Sequence, residues 1–126
     1  MIAEQGMSIG EASKASGLSE DTLRYYERIR LTPFVERAAS GHRRYSPEDM
    51  AWLTFVTRMR ATGMSIETLQ RYAELIRRHE AGDDTTTEKR ALLLAHAQAV
   101  REKIQELQVC LEVVDHKLER LDKQKG

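Results

Sequence analysis

Residues 7–31 read MSIGEASKASGLSEDTLRYYERIRL and predict two short helices joined by a turn. Ser8 with Glu11 three residues later is a capping-box pattern, which marks the start of the first helix. Gly17 is placed to end that helix, and Ser19 is placed to cap the second. Helices of about eight and ten residues joined by a Gly-containing turn are typical of a helix-turn-helix unit.

The second helix carries two adjacent tyrosines, Tyr25 and Tyr26. Neighbouring helix positions point about 100° apart, so the two rings cannot face the same core. Leu23 and Tyr26 form an inward stripe that residues 29–30 continue. Tyr26 is therefore predicted to anchor the helix. Tyr25 is predicted to be exposed beside Arg24, with its hydroxyl available to a phosphate oxygen.

A basic hairpin is predicted to follow this unit. Residues 35–45, VERAASGHRRY, read as two short extended arms around a turn at Ser40–Gly41. The whole chain balances 20 basic against 20 acidic residues, but residues 22–45 hold six arginines and two glutamates. This local excess of positive charge favours contact with a nucleic-acid backbone.

Two more helices are predicted downstream of the hairpin. Ser46 and Pro47 open the first of them, as an N-cap and a proline at the first helical position, and Gly63 ends it. Ser65 opens the next helix, whose apolar residues keep a helical period until Gly82.

A long helix is predicted from about residue 87 to residue 123, a stretch without proline or glycine. The segment before it, residues 82–89, is polar and turn-like, and one of its threonines is predicted to cap the helix. Apolar residues in the long helix recur at alternating intervals of four and three, which defines a heptad seam. The seam consists of Leu93, Ala97, Val100, Ile104, Leu107, Leu111, Val114, Leu118 and Leu121.

A seam of this length needs a partner helix. It spans a helix of about 55 Å, more than a small N-terminal domain can cover. A coiled-coil homodimer is the simplest solution, and a seam shared with a different protein is the alternative. The predicted dimer contacts are Val100, Ile104, Leu107, Leu111, Val114 and Leu118.

The chain resembles the MerR family of bacterial transcription regulators over essentially its whole length. The resemblance rests on residues 7–31, on SGHRRYSPEDM (40–50) and on MRATGMSIETL (59–69). It implies a mainly α fold with a winged helix-turn-helix domain, a two-helix connector and a long C-terminal helix that forms an antiparallel coiled-coil dimer. The expected divisions are 1–60 for the DNA-binding domain, with a wing at about 34–46, 61–84 for the connector helix and linker, and 85–123 for the dimerisation helix.

The resemblance also implies a function. A homodimer of this kind binds a pseudo-palindromic operator in double-stranded promoter DNA whose −35 to −10 spacer is long. It activates transcription by bending and untwisting that DNA, so that RNA polymerase engages both elements. Carried over to matching positions, the expected DNA contacts are Thr22, Arg24, Tyr25, Arg28, Arg43, Arg44 and Tyr45, and Tyr26 combines core and contact roles.

The sequence does not identify the effector. No segment follows the long helix, so no pocket for a drug-sized ligand is expected there. The single cysteine cannot supply the cysteine sets of the family's metal and iron–sulfur sensors. The chain looks closest to small members that respond to aldehydes or thiol-reactive stress, but Arg58 stands where those often carry cysteine. Cys110, beside the seam, is either a small residue at the dimer edge or a redox or electrophile sensor.

Other function classes are disfavoured. The chain has no signal peptide and no apolar run of about eighteen residues, so we expect a cytoplasmic protein without a membrane partner. No nucleophile–base pair or metal-ligand cluster is evident, which argues against an enzyme, a bound metal or another cofactor. Two alternatives stay open: an architectural or excision-type winged-helix DNA-binding protein without effector switching, and a coiled-coil interaction protein with a vestigial helix-turn-helix.

Overall fold

The computed structural model describes residues 6–32, 36–37 and 43–125. Its elements are α1 (Ile9–Ser16), α2 (Glu20–Arg28), β1 (Glu36–Arg37), β2 (Arg43–Arg44), α3 (Pro47–Ala61), α4 (Ile66–Glu80) and α5 (Thr86–Lys125). The two strands pair antiparallel, with Glu36 opposite Arg44 and Arg37 opposite Arg43. The mainly α fold and the order of its elements are as predicted. The predicted turn at Ser40–Gly41 lies outside the described residues.

Four helices begin at the serines that mark them in the sequence. Each serine side chain accepts a hydrogen bond from the backbone N–H three residues later, in the pairs Ser8–Glu11, Ser19–Thr22, Ser46–Asp49 and Ser65–Thr68. The carboxylates of Glu11 and Asp49 accept a bond in return, which completes two capping boxes. The bond from the Ser8 backbone N–H lowers the pKa of Glu11 below its ordinary value. An N-cap of this kind contributes about 1 kcal/mol.

The start of α5 differs from the prediction of a threonine cap. The Oδ1 atom of Asp84 accepts a hydrogen bond of 3.0 Å from the Thr86 N–H, and this bond lowers the pKa of Asp84. The Thr85 hydroxyl instead donates to the Leu75 carbonyl at 2.8 Å, and Thr85 is fully buried. Thr85 therefore bonds the loop to α4, and Asp84 accepts the hydrogen bond from the first backbone N–H of α5.

The chain forms two compact units, Met1–Lys89 and Arg90–Gly126. The core of the first unit has two clusters, one of Ala12, Leu23, Tyr45 and Leu53 and one of Leu31, Trp52, Val56, Met64, Leu69 and Ala73. Tyr26 is half-buried and packs against both clusters. The helix-turn-helix, α3 and α4 thus share one core. The functional division at residues 60 and 84 stays a prediction.

Trp52 of α3 lies where three helices meet. Its Nε1–H donates a buried hydrogen bond of 2.8 Å to the Leu31 carbonyl just beyond α2. Its ring stacks on Phe55 and on Tyr72 of α4, with centroids 5.2 Å and 5.8 Å away. Burial raises the pKa of Tyr72. Aromatic pairs at these distances add stability beyond the area they bury.

The C-terminal end of α2 is a Schellman motif. The Leu31 N–H donates to the Tyr26 carbonyl at 2.8 Å, and the Arg30 N–H donates to the Glu27 carbonyl at 3.0 Å. Arg30 occupies the left-handed position of the motif, with a φ of 62°. Glycine is the usual residue there, because any Cβ is strained in that conformation by about 1 kcal/mol.

Replacing Arg30 with glycine is expected to stabilise the fold by about 0.5–1 kcal/mol, because glycine removes this strain. The exposed ion pair between Arg30 and Glu74 would be lost, which costs little. Urea unfolding followed by circular dichroism, at one fixed protein concentration, measures the change. Arg30→Ala is the control, since it removes the same ion pair and keeps the strain. A glycine variant no more stable than the alanine variant would contradict the prediction.

Candidate nucleic-acid interface

The outer face of α2 carries Arg24, Tyr25 and Arg28. Tyr25 is 43% exposed, and the guanidinium carbon of Arg28 lies 5.5 Å from the centroid of its ring. Tyr26 turns toward the core, with its ring centroid 6.2 Å from that of Tyr25. The predicted packing of the two tyrosines is therefore confirmed. Their contact with DNA stays a prediction.

Arg24 is paired with acids of its own helix. Its Nη2 lies 3.1 Å from Glu20 Oε1, and its Nη1 lies 3.4 Å from Asp21 Oδ1. All three side chains are exposed. Ion pairs of this kind contribute about 0–1 kcal/mol, so a phosphate can replace the carboxylates at little cost. The guanidinium is thus held on the outer face of α2 and is available to an anion.

Thr22 lies in the first turn of α2, beside this cationic face. Its Oγ1 accepts a hydrogen bond of 2.9 Å from the Ser19 hydroxyl, and its N–H donates to Ser19 Oγ at 3.0 Å. A hydroxyl that accepts one bond still has a hydrogen to donate. Thr22 can therefore donate to a base edge or a phosphate at the N-terminal end of α2.

One of the three predicted contacts on the hairpin arm does not fit the structure. Tyr45 is 1% exposed and belongs to the core, so its ring is not accessible to DNA. Arg44 is half-buried, and its Nη1 donates a hydrogen bond of 3.0 Å to the Gly6 carbonyl. Tyr45 therefore leaves the predicted contact set, and DNA contact by Arg44 stays a prediction. Arg43 is in β2, and its side chain lies outside the described atoms.

The Tyr45 ring is buried because it packs with Ala12, Leu23 and Leu53. Met7 and Tyr45 form a backbone bridge, with N–H to carbonyl bonds of 2.8 Å in both directions. This bridge covers one side of the hairpin arm. Strand alternation places Arg44 and Tyr45 on opposite faces, so a core position for the Tyr45 ring leaves Arg44 on the other face of the hairpin.

The predicted seam of α5 is exposed along the single chain. α5 has 40 residues, which corresponds to a length of about 60 Å. Leu107 is 68% exposed, and Val100 is half-buried. Exposed large apolar seam residues also include Ile104, Leu111, Val114 and Leu118. A continuous apolar stripe of this size marks an interaction surface.

Cys110 and the histidines form no metal site in the part of the chain that the structure describes. Cys110 is exposed on α5. Among the described residues, no three His, Cys, Asp or Glu side chains are grouped closely enough to hold a metal ion. His42 lies outside those residues. None of the described helices is long and apolar enough to cross a membrane.

Two family descriptions match the chain. The description "MerR HTH family regulatory protein" matches residues 7–75, and "MerR, DNA binding" matches residues 50–116. The chain belongs to the MerR family. The first match covers both core clusters and the α2 face, and the second runs from α3 into α5. This MerR-family protein is a DNA-binding transcription regulator and not an enzyme.

Known MerR-type proteins are similar to this chain in sequence and in fold. The HTH-type transcriptional regulator AdhR of Bacillus subtilis (strain 168) is 44% identical over 89 residues, which is 71% of this chain and 61% of AdhR. The regulator HmrR of Sinorhizobium medicae is 37% identical over 111 residues, covering 87% of this chain and 73% of HmrR. The crystal structure of HiNmlR, a MerR family regulator lacking the sensor domain and bound to promoter DNA, is 32% identical with a TM-score of 0.82, covering 95% of this chain and 93% of that one.

Proposed function

We propose that this MerR-family protein is a cytoplasmic homodimer that binds a pseudo-palindromic operator within a long-spaced promoter. It activates transcription by bending and untwisting that DNA for RNA polymerase, in response to an unidentified effector or stress. The observation that carries the proposal is the exposed cationic face of Arg24, Tyr25 and Arg28 on the second helix of a helix-turn-helix. The DNA-bound structure of a similar regulator supports it.

The α2 face has the chemistry that a DNA groove requires. Guanidinium groups bind phosphate oxygens or the O6 and N7 atoms of guanine, and Arg24 and Arg28 supply two of them. A tyrosine hydroxyl is a donor to phosphate oxygens, and Tyr25 is exposed beside both arginines. In a helix-turn-helix, the N-terminal residues of the second helix approach base edges, which is where Thr22 lies. Arg43 on the hairpin is proposed as a backbone contact.

The homodimer is proposed from the seam of α5. Pairing of two copies buries the apolar stripe that the single chain exposes, and the proposed pairing is antiparallel. A two-fold dimer presents two equivalent α2 faces, so its DNA site should be a pseudo-palindrome. The distance between the half-sites would follow from the dimer geometry.

Arg24→Ala is expected to weaken operator binding by about 10- to 100-fold, because it removes a charged contact to a base or a phosphate. The probe is a duplex enriched from a random-sequence library by the wild-type protein, and fluorescence anisotropy gives the dissociation constant at several salt concentrations. If Arg24 contacts a phosphate, the slope of log affinity against log salt concentration should also become shallower, by about the contribution of one phosphate contact. Arg120→Ala, an equal change of charge on exposed α5, is the control.

Equal binding by wild type and Arg24→Ala would contradict the assignment of α2 as the DNA-contacting helix. Tyr25→Phe tests the hydroxyl alone, and a smaller loss of affinity is expected because one neutral hydrogen bond is removed. A selected sequence without two-fold symmetry would contradict the dimeric site.

Activation needs a separate experiment. The selected duplex is placed between the −35 and −10 elements of a template with a long spacer, and a fluorescent 2-aminopurine at its centre reports unstacking. We expect fluorescence to rise on protein binding, because untwisting the spacer disturbs stacking at the centre. Distortion that leaves transcription from this template unchanged would favour an architectural DNA-binding protein that lacks promoter switching.

A further inference from the structure

The backbone just beyond α2 is held by side chains that come from far along the chain. The carbonyls of three consecutive residues each accept one hydrogen bond. The bonds are Gln70 Nε2 to the Ile29 carbonyl at 3.0 Å, Arg77 Nη2 to the Arg30 carbonyl at 3.0 Å and Trp52 Nε1 to the Leu31 carbonyl at 2.8 Å. The donors lie 21 to 47 residues away in sequence. The end of α2 is therefore fixed by tertiary contacts.

Two of the three donors lie on one face of α4. Gln70, Glu74 and Arg77 are spaced four and then three residues apart, which places them on one side of the helix. Glu74 Oε2 lies 2.9 Å from Arg77 Nε and 3.7 Å from Arg30 Nη2. The Glu74 carboxylate thus orients the guanidinium of Arg77, and the Nη2 atom of Arg77 donates to the Arg30 carbonyl. We call Gln70, Glu74 and Arg77, with the carbonyls of Ile29 and Arg30, the carbonyl latch.

The carbonyl latch adds polar contacts to the apolar contacts that hold α2. The helix has nine residues, Leu23 is its one buried residue, and Tyr26 packs against both core clusters. Leu31 is buried just beyond the helix, so the latch acts on an end of α2 that the core also holds. DNA contacts require side chains held to within about 0.5 Å and 10–20°. The carbonyl latch restrains the backbone of residues 29 and 30 and so helps to set the direction of α2.

α4 also contacts the segment that leads into α5. The guanidinium of Arg78 lies 3.6 Å from carboxylate oxygens of both Asp83 and Glu88. The Thr85 hydroxyl bonds to the Leu75 carbonyl in the same region. α4 therefore holds the end of α2 with one set of side chains and the start of α5 with another.

We propose that Gln70 and Arg77 are positioning residues for DNA binding. They contact no DNA, and they orient the Arg24–Tyr25–Arg28 face by fixing the backbone of residues 29 and 30. This inference rests on the proposed function, in which α2 is the DNA-contacting helix. It predicts that loss of either donor lowers affinity for the operator more than affinity for unrelated DNA, because base contacts depend on orientation and phosphate attraction does not.

The test compares Gln70→Met and Arg77→Ala with wild type and with Arg71→Ala. Methionine keeps the length of glutamine and cannot donate a hydrogen bond. Arg71→Ala removes the same charge as Arg77→Ala from an exposed position of α4. The probes are the duplex selected by the wild-type protein and a scrambled duplex of equal composition. Circular dichroism melting shows that each variant is folded at the assay temperature.

We expect Gln70→Met and Arg77→Ala to bind the selected duplex about 3- to 10-fold more weakly, the effect of one lost hydrogen bond. Binding of the scrambled duplex should change by less than about twofold, as should both affinities of Arg71→Ala. The ratio of the two dissociation constants is the deciding quantity. A role limited to stability would change the melting temperature and leave that ratio at its wild-type value.

A wild-type ratio in folded Gln70→Met and Arg77→Ala would overturn the proposal. Equal weakening on both duplexes would also overturn it. Should Arg77→Ala not fold, Gln70→Met decides, because it removes one bond from a half-buried side chain. Arg24→Ala, run in the same assay, separates the two levels of inference. If Arg24→Ala binds the selected duplex weakly and both latch variants bind like wild type, only the latch proposal is wrong. If Arg24→Ala binds like wild type, the proposed function is wrong, and the latch proposal is wrong with it.

Discussion

Leu107→Asp is expected to convert the proposed homodimer into a monomer. Leu107 lies in the middle of the predicted seam and is 68% exposed in the single chain. A dimer buries two copies of this side chain, each contributing about 1.5–3 kcal/mol, and a buried unpaired carboxylate adds a further cost. Together these raise the dimer dissociation constant by about three orders of magnitude. Sedimentation equilibrium measures the change directly.

The operator affinity of Leu107→Asp should also fall when the dimer dissociates. A monomer binds one half-site only, whereas in a dimer the binding of one half-site raises the effective concentration of protein at the other. Loss of this effect should weaken operator affinity by about 100-fold or more. Anisotropy with the selected duplex measures this loss, and addition of a large excess of protein should restore part of the signal. The two assays together link the seam of α5 to operator recognition.

Val113→Asp is the matched control for this substitution. Val113 is 63% exposed on the same helix and lies outside the seam, so the change replaces a similar apolar side chain with the same charge. We expect Val113→Asp to remain dimeric with wild-type DNA affinity. A dimeric Leu107→Asp, or a monomeric Val113→Asp, would show that the heptad assignment is wrong.

Trp52→Ala is expected to lower the free energy of unfolding by about 3–5 kcal/mol, as is typical when a buried aromatic ring is removed. The ring contacts Phe55 and Tyr72, and its N–H satisfies the Leu31 carbonyl. Trp52→Phe keeps much of the stacking and leaves that carbonyl without its donor, so a smaller loss of about 1–3 kcal/mol is expected. Urea unfolding by circular dichroism at one protein concentration measures both changes.

Arg58→Ala serves as the control for α3, because Arg58 is exposed on the same helix. Its effect should stay within about 0.5 kcal/mol. If Trp52→Phe were as stable as wild type, the indole N–H bond would contribute no net stability. If Trp52→Ala cost as little as Arg58→Ala, the assignment of Trp52 to the core would be wrong.

The features that the sequence predicted well are local or periodic. Ser8, Ser19, Ser46 and Ser65 cap helices through partners three residues away, so each cap is visible in a short stretch of sequence. The separation of Tyr25 from Tyr26 follows from the helical period alone. The same period places Arg24 and Arg28 on the exposed face of α2.

The features that the sequence missed join distant residues. The Gly6 carbonyl and Arg44 are 38 residues apart, and Ile29 and Gln70 are 41 apart. Such contacts depend on the path of the chain, which no periodic pattern records. The left-handed Arg30 was missed for a related reason, since an arginine carries no local signal for that conformation.

The exposed thiol of Cys110 has a practical consequence. It is the single cysteine of the chain, so a maleimide dye attaches at one defined position per protein molecule. One batch would carry a donor dye and a second batch an acceptor dye. After mixing, energy transfer would appear only as chains exchange between dimers. The rate at which that signal grows would give the lifetime of the proposed dimer, with no engineered cysteine and no knowledge of the operator.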